Sequence, residues 1–149
     1  MGIHVVRPGE GEQTTTGRLS MRILEDGSHT GHRLGLMEAT LQPYTEGPPE
    51  HVHHEHDEVF IVTAGKVRFT SGKDHVDAEA GTVVVAPTGV PHGFSNPFEQ
   101  TAVFVGTLTP DSYVQYFRDL GKLPLNDQGV LNPAEVARTM SHYATEVVH

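Results

Sequence analysis

Residues 47–65 read Gly47-Pro48-Pro49-Glu50-His51-Val52-His53-His54-Glu55-His56-Asp57-Glu58-Val59-Phe60-Ile61-Val62-Thr63-Ala64-Gly65. A Gly-Pro-Pro turn opens the stretch, and four histidines crowd into six positions. From Glu58 the chain becomes β-branched and apolar up to Thr63, then turns at Ala64-Gly65. On a strand, residues i and i+2 project to one face, about 6.5–7 Å apart at Cα. His51 and His53 therefore point the same way, and His54 points oppositely. Glu58 lies past a turn, close enough to face the pair from a neighbouring strand. Two imidazoles and a carboxylate are a donor set for Fe, Mn, Co, Ni, Cu or Zn. His54 and His56 read as solvent-facing, with a place beside the metal ligands or at the mouth of the site as the alternative for His56.

Outward from that stretch, short strands and turns alternate. Leu19–Leu24 alternates as a strand. Asp26-Gly27 suits the positive φ of a turn, and Arg33–Leu41 is the next strand. Pro43–Glu50 is a loop. Glu58–Thr63 and Lys66–Thr70 form a hairpin, and a short strand runs to Ala78. Thr82–Ala86, T-V-V-V-A, reads as a buried strand. Pro87-Thr88-Gly89-Val90-Pro91 turns the chain sharply before His92–Ser95. Gln100–Leu108 is the last long strand. After Pro110 the apolar period changes from 2 to 3.6. Asp111 is placed to cap a helix over Ser112–Leu120 that ends at Gly121. Asn132-Pro133-Ala134-Glu135 starts a second helix to Tyr143, with Asn as cap and Glu135 returning the cap bond. The expected organisation is an N-terminal arm (1–17), an all-β barrel (18–109) and a C-terminal helical tail (110–149).

Composition narrows the function. The net charge of −9 and scattered Lys and Arg disfavour nucleic acid. The absence of cysteine excludes disulfides and thiolate sites. The first residues lack the basic flank and apolar run of a signal peptide, and no segment approaches a membrane span. A cytoplasmic protein is expected. Ile3, Val5 and Val6 suggest an edge strand that two copies exchange in a homodimer.

A second stretch, Gly81-x5-Pro87-x-Gly89-x2-His92-x3-Asn96, sets another histidine after a Pro-Gly turn. Together the two stretches carry a resemblance. Glu50-His51-Val52-His53-x4-Glu58-x6-Gly65 resembles the first cupin motif. Residues 81–96, G-T-V-V-V-A-P-T-G-V-P-H-G-F-S-N, resemble the second. One departure lies in a loop, where Gly47 is four residues before His51 rather than the usual six. Asp111–Leu120 is also similar to the C-terminal helix of small quercetin-dioxygenase-like cupins. The resemblance implies a double-stranded β-helix holding one divalent transition metal ion on His51, His53, Glu58 and His92.

Four protein ligands on a six-coordinate ion leave two open positions, as a catalytic site requires. A dioxygenase acting on an enol, flavonol or polyketide-like small molecule is the implied reading. A non-redox isomerase, cyclase or decarboxylase and a non-catalytic binding cupin are the alternatives. Phe60, Val62 and Phe94 are expected inward, as core and pocket wall at once. Glu38 is a candidate general base if Leu34, Leu36, Glu38 and Thr40 face inward. It is a surface charge if Met37, Ala39 and Leu41 do. Glu58, if loosely bound, is the other candidate. Asn96 reads as a turn anchor, and Tyr113, Tyr116 and Phe117 as helix packing, on a helix that could also cover a barrel mouth.

Overall fold

The structure, a computed structural model, describes residues 2–149, so Met1, the first residue of the expected arm, lies outside the described residues. In chain order the strands are β1 (Glu12–Thr16), β2 (Leu19–Glu25), β3 (Gly35–Leu41), β4 (His51–His53), β5 (Asp57–Ala64), β6 (Lys66–Ser71), β7 (Asp74–Glu79), β8 (Val83–Ala86), β9 (Gly93–Ser95) and β10 (Ala102–Thr109). A 3-10 turn (Asp111–Tyr113) leads into α1 (Val114–Leu120). Then come α2 (Pro133–Ser141) and a last strand, β11 (Thr145–Val147).

Two layers face each other. One is a six-stranded sheet in the order β1-β2-β3-β10-β5-β8. The other comprises β7-β6-β9 and β11-β4, joined by the His51–His92 bridge, whose two backbone hydrogen bonds are 3.0 and 2.9 Å. The inward faces follow period 2. Met21 and Ile23 on β2, Met37, Ala39 and Leu41 on β3, Phe60 and Val62 on β5, Val67 and Phe69 on β6, and Phe104 and Leu108 on β10 are buried. These side chains close a double-stranded β-helix, with the C-terminal helices packed beside it.

Glycine matters at two places. Gly65 takes φ +65 in the β5–β6 turn, and Gly47 lies so close to the Phe94 carbonyl that a Cβ has no room. Asn96 is fully buried and does anchor a turn. Its Nδ2 donates to the carbonyls of Leu41, Gln42 and Gln100, and its Oδ1 accepts from Phe98 N–H at 3.1 Å.

Several expectations need correction. The arm contains a strand, but it is Glu12–Thr16 on β2, not Ile3, Val5 and Val6, which form none. Thr82–Ala86 is not a buried strand. β8 is a sheet edge, and Val83 and Val85 point outward, 56% and 60% exposed. Asp111 does not cap a helix, for its carboxylate meets His32 Nδ1 at 3.0 Å. Asn132 does cap α2, accepting from Ala134 N–H at 2.9 Å. Glu135 pairs instead with Arg138, and the helix stops at Ser141. Among the described residues no helix is long and apolar enough to cross a membrane.

Candidate metal centre

His51 and His53 stand two apart on β4, which is paired on one side with β11 and held on the other by the His51–His92 bridge. Glu58 comes from the start of β5, and His92 precedes β9. All four are buried, at 2–6% exposure. The ring centroids of His51, His53 and His92 lie 4.6–5.0 Å apart. Donor atoms of His51, His53 and His92 lie within 4.8 Å of one another, as do those of His53, His56 and Glu58.

Hydrogen bonds at the far side of each ring assign its tautomer. His51 Nδ1 lies 2.8 Å from the Pro49 carbonyl, and His92 Nδ1 lies 3.0 Å from the Val90 carbonyl. A carbonyl only accepts, so both Nδ1 atoms carry the proton. His53 Nδ1 lies 2.8 Å from Thr145 Oγ1, whose own proton goes to the Tyr143 carbonyl. His53 therefore also donates through Nδ1. In these tautomers the Nε2 atoms of the three rings are left for a ligand, and those of His53 and His92 lie 3.2 and 3.1 Å from the Glu58 oxygens. His53 Nε2 lies 3.2 Å from Glu58 Oε1, yet it is buried without a hydrogen-bond partner. Lone pairs facing a carboxylate repel unless a cation or extra protons lie between them. The donor set and its orphaned nitrogen fit a divalent transition metal ion.

The proton affinities follow from the same geometry. Burial, with His92 and His53 beside it, pushes His51 down to about 4. Burial also lowers His53, against the pull of Glu58. Burial opposes ionisation of Glu58, but the surrounding His53, His56 and His92 outweigh it and hold the carboxyl well below its usual range. Burial opposes charge on His92 too. There the Glu58 carboxylate, 3.1 Å from Nε2, wins and raises it.

His56 belongs to the cluster, as in the alternative to its reading as solvent-facing. It is 2% exposed, and its Nε2 meets Glu58 Oε1 at 3.2 Å. The signal was available, since His56 and Glu58 are i and i+2 along the extended chain entering β5. His54 does face out, 3.4 Å from Glu146. Tyr113 covers the cluster, its ring centroid 4.5 Å from His53 and 4.8 Å from His56. Its hydroxyl is buried with no hydrogen-bond partner in the protein, and burial raises its pKa well above the usual phenol value.

Glu38 is not brought to the site. Met37, Ala39 and Leu41 face inward, so Glu38 lies on the outer face of β3 and pairs with Arg22 at 3.0 Å. Phe60 and Val62 face inward from β5, and Phe94 is half-buried on β9. Phe60 is 6.0 Å from the His92 ring centroid and packs with Phe69 and Phe104 at 5.1 and 5.3 Å. Thr145 was not singled out beforehand. Nothing in a lone threonine of the tail marks it as a partner of His53.

Residues 37–108 match the family model of the cupin domain. These residues form a cupin domain. The cupin shares its fold with a predicted oxalate decarboxylase from Thermotoga maritima, at 20% identity and TM-score 0.64, over 72% of this chain and 99% of that one. It shares it also with a cupin 2 conserved barrel domain protein from Salinispora arenicola, at 20% identity and TM-score 0.61, over 78% and 98%. A sugar phosphate isomerase of the cupin superfamily from Silicibacter pomeroyi is 25% identical, TM-score 0.56, over 63% of this chain and 60% of that one. In sequence, the cupin is 36% identical over 59 residues to an uncharacterised protein of Streptomyces coelicolor. That match spans 40% of this chain and 56% of the relative.

Proposed function

We propose that this cupin is a metal-dependent enzyme acting on a small organic molecule, and that it works as a quercetinase-like dioxygenase on an enol, flavonol or polyketide-like group. The observation that carries the metal dependence is the convergence of buried donor atoms of His51, His53 and His92 on one another, with the Glu58 carboxylate beside His53 and His92. His51, His53, Glu58 and His92 would hold the ion. When bound, it supplies Lewis acidity and, if redox-active, a means of joining O2 to the substrate.

The chain's own residues do the rest. His56, hydrogen-bonded to Glu58 Oε1, fixes that carboxylate and stands ready to hold a proton. Tyr113 covers the cluster and excludes water. Phe60 and Phe94 offer an apolar wall, with Val62 farther along β5, which suits a flat unsaturated substrate better than a strongly hydrated one. With Glu38 turned outward, one of the two carboxylates proposed to move protons in isomerase chemistry is lost, and only Glu58 remains. That favours the dioxygenase reading. The likeness to a sugar phosphate isomerase supports the second reading, non-redox isomerisation or decarboxylation, with His56 moving the proton.

Elemental analysis of protein purified without added metal, followed by O2 uptake with flavonols and β-diketones, separates the two. One iron, manganese, cobalt, nickel or copper per chain with O2 uptake is the expected result. Zinc with no O2 dependence would transfer the assignment to the second reading. A homodimer is also proposed, through Ile61, Val83 and Val85 rather than an exchanged arm. These side chains stand exposed on adjacent strands of one sheet face. Light scattering of the purified chain tests it. The cysteine-free sequence supports a reducing, cytoplasmic setting.

A further inference from the structure

A second group of metal-binding side chains lies outside the barrel. His4, Glu25 and His29 each offer a donor atom, all within 4.8 Å of one another. Glu25 ends β2, and the turn beyond it holds its carboxylate. Gly27 N–H and His29 N–H donate to Oε2 at 2.9 and 3.1 Å, and His29 Nδ1 lies 2.8 Å from Oε1. Burial opposes ionisation of Glu25, but those bonds from His29 and Gly27 outweigh it and lower its pKa. His4 arrives from the arm and stacks on His29, centroids 3.8 Å apart and planes 12° from parallel.

The three residues share the wall of a surface cavity of about 320 Å3 with Val5, Glu10 and Arg118, among others. The charge there suits a cation. Arg118 is already committed to Glu12 and Asp26, at 2.9 and 3.0 Å, which leaves Glu25 facing two imidazoles. Two imidazoles and one carboxylate bind zinc, nickel or cobalt, with waters completing the shell. Parallel rings cannot aim at a single point, so His4 must turn to bind. Its place on an exposed arm allows that.

We infer that His4, Glu25 and His29 form a second divalent transition-metal site, independent of the barrel cluster, that clasps the N-terminal arm to the end of β2. Apart from β1, the contacts that hold the arm include those of Arg22 with the Arg7 and Glu10 carbonyls. An ion at His4 would add a tether near the arm's start. The tether would continue through Asp26 and Arg118 to α1.

The test uses the full chain stripped of metal and equilibrated with zinc against a weak chelator. The His4→Ala/His29→Ala double variant is expected to bind one zinc fewer per chain than the unaltered protein. Both side chains are exposed, so the variant keeps its fold. Hydrogen–deuterium exchange of residues 2–10 is expected to slow on adding zinc to the unaltered protein and not to the variant. Equal zinc counts in the two proteins, or exchange that zinc leaves unchanged in both, would overturn the inference. Neither readout depends on what the barrel cluster binds, because that cluster is intact in both proteins.

Discussion

Thr145 Oγ1 lies 2.8 Å from His53 Nδ1, across 92 residues of chain. The hydroxyl spends its proton on the Tyr143 carbonyl and can only accept from the ring. A threonine on the last strand therefore decides which nitrogen of His53 faces the barrel. Partners of this kind orient a ligand and raise its basicity.

Thr145→Val removes that acceptor at nearly constant volume. Metal affinity is expected to fall by about 10- to 100-fold, read by competition with a chromophoric chelator. Unchanged affinity would show that packing alone orients His53.

His53→Ala removes a donor shared by both groupings of the cluster. The purified variant is expected to lose its metal and all turnover while keeping the circular dichroism of a folded β protein. Full metal content would make the ligand assignment wrong.

Glu38→Gln should leave metal content and turnover untouched, because the side chain sits outside with Arg22. Its cost is to stability alone, under about 1 kcal/mol for a partly exposed pair. Thermal unfolding beside steady-state kinetics checks both halves. A loss of turnover would return Glu38 to the chemistry.

Tyr113→Phe deletes a buried hydroxyl that has no protein partner. Removing an unsatisfied group is expected to leave stability equal or raise it by up to about 1 kcal/mol. Turnover is expected to drop several-fold at full metal content if the hydroxyl meets the substrate. Kinetics identical to the unaltered enzyme would assign Tyr113 to covering the cluster only.

Asp26 supplies a pH test. Hydrogen bonds from Ser28, then Arg118, hold its carboxyl well below the usual range. A depressed folded pKa means that the stabilisation is present above the unfolded value of ~3.9 and is lost as pH falls through the folded one. Asp26→Asn keeps the turn acceptor but drops the charge. It is expected to cost about 1 kcal/mol at neutral pH, after allowance for a side chain one-third exposed. That cost should shrink steadily as pH drops below ~4, followed by denaturant midpoints. A cost that grows on acidification would reverse the sign argument.

The legible part of the site was local. His51 and His53 on one strand face follow from period 2, and the turns at Gly65, Gly89 and Gly47 from glycine's place in the pattern. One segment stayed open and another was misread because each had two apolar faces to choose from. Leu34 and Leu36 compete with Met37, Ala39 and Leu41 for the inside of β3, and pattern alone cannot choose. Val83-Val84-Val85 has no polar face at all, so its position at a sheet edge left no mark in sequence. His56 could have been found by counting back two from Glu58 instead of forward from His53.

By itself the sequence determined an all-β barrel with a helical tail, and four residue positions with the chemistry to hold a metal ion. Strand alternation and turn chemistry act over a few residues, so they can be read along the chain. The tertiary structure decided which ring nitrogens face inward, that Tyr113 covers them, that Glu38 is excluded, and that Thr145 and His56 belong. Those outcomes depend on register and pairing between segments up to 92 residues apart, where no local preference operates.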